Sequence, residues 1–218
     1  MSSDAAVHDA DRRIRPALAA TRRQLIVSLV IAILPGLSLS LIGLTHPMYL
    51  TDDSAMQWRG LHVVTLPLFP LLALAPWWIA RTHSPVLAVV TGLLGYVFAA
   101  GYTALDVLAG IGAGGLQLDN GGSGKGVLYD LADALATPGT IALLLAAMIA
   151  ASVVLFRARS TRARLLGVLG GVLVVLAAIS FVDSHIYWPR GGLTMLAFAV
   201  GWALLVLAER PRASEPAA

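Results

Sequence analysis

Six long apolar runs, at residues 24–44, 61–80, 85–111, 134–156, 165–184 and 191–208, dominate the pattern of this 218-residue chain. A helix needs about 20 apolar residues to cross roughly 30 Å of hydrocarbon, and each run is close to that length. In lipid the backbone must satisfy its own hydrogen bonds, so such runs are helices, whereas barrel strands would read as short alternating segments. The pattern predicts an all-α fold, a polytopic bundle of about six transmembrane helices over residues 24–208. A basic tail, 1–23, precedes it, and a short tail, 209–218, expected to be disordered, follows it. Arg12, Arg13, Arg15, Arg22 and Arg23 before the first run suggest a signal peptide, but the run is too long for one and no small-x-small cleavage site follows. It reads as an uncleaved first helix.

Breaker residues refine this picture. Pro67, Pro70 and Pro76 all fall in the second run, each removing a backbone donor, so that helix is expected to kink. Gly92, Gly95 and Gly101 in the third run, and Gly167, Gly170 and Gly171 in the fifth, permit close helix approach. Between the third and fourth runs, residues 112–126 are Gly-rich and read as a flexible loop. Val127, Leu128, Leu131, Ala132 and Leu135 then recur at helical spacing. They predict a short interfacial helix, with Thr137 and Pro138 as N-cap and first residue of the next segment; the alternative is one long helix kinked at Pro138.

Composition agrees with a lipid solvent: 58% of residues are hydrophobic and only 12% charged, against about 25% charged in a soluble domain. The net charge of +3 arises from arginines lying between the apolar runs, which is a topological pattern and not a nucleic-acid-binding face. Twelve basic residues fall in the two tails and the second and fourth loops, against Arg59, Lys125 and Arg190 on the other side. This asymmetry predicts that both termini are cytoplasmic. Tyr49, Trp58, Tyr187 and Trp188 then mark the outer interface, and Trp77 and Trp78 the inner one. The strong preference for Arg over Lys, with abundant Ala, Gly, Leu and Val, suggests a bacterial chain in the cytoplasmic membrane. Its expected partners are membrane lipids and either a protein subunit or further copies of itself. The absence of cysteine excludes disulfides, thiolate metal sites and iron–sulfur clusters.

Candidate chemistry collects where the outward-running helices end. His46 ends the first run, His62 begins the second, Asp106 lies near the end of the third, and Asp183 and His185 end the fifth. Polar groups at such depth are costly and need a reason. A helix C-terminus carries partial negative charge, so Asp106 and Asp183 there require a compensating cation. One reading is structural, with Asp106 paired to Arg59 or Arg190 and the histidines at a wet interface. The other gathers His46, His62, His185, Asp106 and Asp183 around a transition metal, or uses two histidines to ligate a haem. No His-x-x-x-His or His-Glu-x-x-His spacing is present. Ser184 between Asp183 and His185 is weak evidence for a hydrolase, because adjacent residues rarely form a triad and no Gly-x-Ser-x-Gly motif occurs. Enzymatic activity is therefore not the favoured expectation. The favoured expectation is a small accessory or structural membrane protein with this polar cluster at the outer helix ends; the alternatives are a metal- or haem-binding protein and a small transporter or proton-coupled permease using Asp106.

Overall fold

The computed structural model describes residues 18–19 and 21–210, so most of the two expected tails lies outside the described residues. Those residues are helical with no strand, and six helical stretches are long and apolar enough to cross a membrane. Helix α1 (Arg22–Gly43) opens on a reciprocal cap. The Thr21 hydroxyl accepts from the Gln24 backbone at 3.2 Å, and the Gln24 side chain accepts from the Thr21 backbone at 3.0 Å. The second span is broken into α2 (Ala55–Thr65), a 3₁₀ turn (Phe69–Ala73) and α3 (Leu74–Ala80). Pro67, Pro70 and Pro76 account for the interruptions, since none can donate to the preceding turn.

The third span runs as α4 (Pro85–Leu105), a π-helical stretch (Asp106–Gly112) and α5 (Ala113–Asn120). This corrects the expected flexible loop over 112–126. The glycines there serve packing: a Cβ on Gly114 would lie 3.0 Å from Arg59 Cβ, so α5 lies tightly along α2. The Gln117 amide donates to Asp52 at 2.6 Å and accepts from Lys125, which ties the helix end down. The turn itself is confined to Gly121–Gly124, where Gly121, Gly122 and Gly124 take positive φ values that L side chains rarely adopt.

Helix α6 (Lys125–Arg157) is continuous, so no separate interfacial helix precedes the fourth span. Thr137 is not an N-cap; its hydroxyl donates to the Asp133 carbonyl at 2.8 Å inside the helix. Helices α7 (Thr161–Phe181) and α8 (Arg190–Ala208) complete the chain. Each span packs along its successor, and α8 packs along α1, which closes a ring of six. The buried centre holds Phe69, Phe98, Tyr102, Phe181, Phe198 and Trp202. At the other end of the ring from the site described below, Trp78 donates to Ser28 at 2.9 Å, and Ser28 to the Leu18 carbonyl at 2.8 Å.

Helix α4 meets α6 through Gly101, where a Cβ would sit 2.4 Å from the Leu135 carbonyl oxygen. Gly101→Val should therefore force the two helices apart. The expected loss is about 1–3 kcal/mol, the range for overpacking, read as a lower unfolding midpoint in detergent. An unchanged midpoint would show that the contact is not close-packed.

Candidate metal centre

The site is built where the first and fifth spans end and the second begins. His46 sits just beyond α1, His62 lies on α2, and His185 lies in the loop after α7. Three ring nitrogens, one from each, lie within 4.8 Å of one another. The ring centroids are 5.0 Å apart for His46–His62, 5.3 Å for His46–His185 and 5.3 Å for His62–His185. Trp58 and Tyr187 pack against His46, and Phe69 and Tyr102 pack against His185.

Local sequence explains each placement. On α2 the buried residues are Ala55, Trp58, His62 and Thr65, a three-and-four spacing that forms one helical face. Arg59 falls off that face and is exposed. The facing surface is the π-helical stretch, where Gly110 is decisive: a Cβ there would lie 2.2 Å from the His62 ring. A π turn leaves carbonyls out of their usual register; that of Ala109 accepts from the Trp58 indole at 3.1 Å. The His185 loop lies down on the bundle through two more glycines. A Cβ on Gly191 would sit 2.1 Å from the His185 carbonyl, and one on Gly43 would sit 2.4 Å from that of Ile186.

Each imidazole has its Nδ1 engaged. His46 Nδ1 is 2.8 Å from the Pro47 carbonyl and His62 Nδ1 is 2.8 Å from the Trp58 carbonyl. A carbonyl can only accept, so Nδ1 carries the proton in both rings. In a neutral ring Nε2 is then an unprotonated lone pair. His185 Nδ1 is 2.8 Å from the Tyr102 hydroxyl. The Nε2 atoms of His46 and His185 are buried without a hydrogen-bond partner among the described residues. Burial holds the pKa of His46 down to about 4, partly offset by the Pro47 bond and reinforced by nearby His62. Burial, then His62 and His46, hold that of His185 well below the ordinary value. Both rings are neutral at pH 7.

The carboxylates divide differently from the expectation. Asp183 forms an exposed ion pair with Arg190, seven residues along the chain. Arg190 is therefore not the counter-ion of Asp106, and neither is the exposed Arg59. Asp106 is fully buried; its Oδ2 accepts from Thr65 at 3.3 Å and its Oδ1 has no partner among the described residues. Neither carboxylate belongs to the three-histidine group. The Ser184 hydroxyl donates to the Ser180 carbonyl at 2.6 Å, an arrangement that does not activate it as a nucleophile. Thr65 and Tyr102 are not among the residues that sequence alone singles out. The spacing of 58, 62 and 65, and of 102 and 106, was the available signal, since residues three or four apart share a helix face.

Beside the histidines lies a cavity of about 580 Å³. His62 and His185 form part of its wall, with Tyr102 and Tyr187; Leu105 and Ala109 also line it, whereas Asp106 between them does not. No family model matches the chain, and no curated protein or solved structure matches it either.

The donor set can be tested against the two kinds of group considered. Zinc–nitrogen bonds of about 2.0–2.1 Å at a tetrahedral angle place ligand nitrogens about 3.3 Å apart. Nitrogens within 4.8 Å reach that by small ring rotations, so a single ion fits. A haem with two histidine ligands has its macrocycle between the imidazoles. The three imidazole pairs have centroids 5.0 to 5.3 Å apart, too close for a macrocycle with an iron–nitrogen bond on each face to lie between any two of them, so a two-histidine haem does not fit.

Gly110→Ala should displace His62 and disperse the cluster. The expected result is at least a tenfold loss of transition-metal affinity, measured by competition with a chromophoric chelator. Unchanged affinity would mean that His62 is not held by this contact.

Proposed function

We propose that this chain is a multi-pass membrane protein that binds one transition-metal ion through His46, His62 and His185. The observation that carries the reading is the convergence of three imidazoles from three separate segments, with Nδ1 of each engaged and unpartnered Nε2 atoms on His46 and His185. Metal-bound histidines characteristically bond their second ring nitrogen to a carbonyl or other acceptor, which fixes the tautomer and ring orientation. An aromatic stack serving only to fill space would gain nothing from burying unpartnered nitrogens, each costing roughly 1–3 kcal/mol. Imidazole donors suit Zn, Cu, Fe or Ni, and the chain has no cysteine to add sulfur.

Asp106 does not join the group; it meets Thr65, which lies three residues from His62 on α2. A divalent ion on three neutral imidazoles keeps its full +2 charge. The Asp106 permease reading has less support, because the cavity wall does not include that carboxylate. The accessory reading keeps the same fold with no ion.

The basic residues favour a bacterial cytoplasmic membrane with both termini inside, twelve against three. In that orientation the centre lies near the extracytoplasmic surface.

Elemental analysis of untagged protein, purified in detergent and exposed to Zn(II), tests this reading. About one ion per chain is expected, falling to background in His62→Ala. Tyr102→Phe, which removes the partner of His185 Nδ1, should weaken affinity about tenfold, within the range for such outer contacts. Failure of the wild-type protein to retain Zn(II), Cu(I) or Co(II) would overturn the reading in favour of the accessory one.

A further inference from the structure

The three histidines leave a coordination position unfilled, and the cavity is next to them. Among the described residues no further His, Asp or Glu joins the group. Structural zinc sites are closed by four protein ligands, whereas sites with three leave the fourth position to water or substrate. His62 and His185 belong both to the cluster and to the cavity wall, while His46 lies away from that wall. An ion held by all three is therefore bordered by the cavity on the side of His62 and His185.

The cavity has the character of a small-molecule site. Its volume of about 580 Å³ falls within the usual range for such pockets, about 300–1,000 Å³. Its lining is largely apolar and aromatic, including Met48, Leu50, Leu105 and Phe181. The wall from α6 is a stripe of Tyr129, Asp133, Thr137 and Thr140, three or four residues apart and so on one helix face. Thr137 and Thr140 donate their hydroxyl protons to helix carbonyls, which leaves their oxygens as acceptors toward the cavity.

We propose that the cavity binds a small organic molecule with an apolar body and one oxygen-donor head, such as a carboxylate, phenolate or hydroxamate, that fills the open position on the ion. The charge balance favours an anionic donor, since three neutral imidazoles neutralise none of the charge of a divalent ion. The apolar body lies against the aromatic lining, and donor groups on the molecule meet the threonine oxygens. This inference rests on the metal reading and adds that the centre is open and shaped for a ligand.

The test uses full-length protein loaded with Co(II), whose visible bands report a change of ligand. Azide is the small probe and benzohydroxamate the probe with an apolar body. Both should shift the wild-type bands. Thr137→Phe, at an exposed position on the rim, and Ala136→Phe, deeper in the wall, should retain one Co(II) per chain and the azide response. Benzohydroxamate affinity should fall at least tenfold in each variant, or in Thr137→Phe alone if Ala136→Phe does not fold. A full complement of Co(II) with bands indifferent to both probes would show a closed centre and overturn the inference while the metal reading stands. Undiminished benzohydroxamate affinity in a folded variant would overturn the cavity as its location. No Co(II) in the wild-type protein would remove the metal reading and this inference together.

Discussion

A buried imidazole has two nitrogens to satisfy, and at this site only one of them is satisfied within each of His46 and His185. Their Nδ1 atoms have partners 2.8 Å away, and their Nε2 atoms have none among the described residues. In an interior of low dielectric such an omission is costly. The cost disappears when the Nε2 lone pair of His46, and that of His185 with its Nδ1 donating to Tyr102, meet a cation. That single requirement orders the rest of the site: the tautomers of His46 and His62 and the phenol behind His185.

The fold meets this requirement by bringing backbones unusually close. Gly110 allows the π-helical stretch to lie on the His62 ring, and Gly191 allows α8 to begin beneath the His185 carbonyl. A membrane bundle gains little from hydrophobic association between its helices, so small residues at contacts are its principal means of tight packing. The π turn contributes in another way, by freeing the Ala109 carbonyl for the Trp58 indole and so fixing the helix that carries His62. Packing and ligand geometry are thus settled by the same few contacts.

The spans were readable because hydropathy reports the surrounding solvent directly, and six helices of suitable length are present. The kinked second span followed from three prolines. The helix over 113–120 was not readable, because glycine in a polar stretch looks alike whether it serves a turn or a close contact; the helical spacing from Val127 onward was readable, and it continues unbroken into the fourth span. At the site, cost identified the polar residues at the helix ends, and His46, His62 and His185 do meet. Which of them would meet was hidden, since it depends on the lateral order of the spans. Charge logic misassigned the arginines: Arg59 lies off the buried face of α2, and Arg190 is taken by Asp183 nearby in the chain. Asp106 was left to a neutral hydroxyl, a partner that a search for opposite charge passes over.

The central claim concerns the identity of the atoms around an ion, and X-ray absorption at the zinc edge reads those atoms directly. Protein reconstituted with one equivalent of Zn(II) should show three nitrogen neighbours at about 2.0–2.1 Å, with the outer-shell pattern of imidazole, and one further light atom. A shell of oxygens with one imidazole or none would contradict the account, because the ion would then be bound somewhere other than His46, His62 and His185.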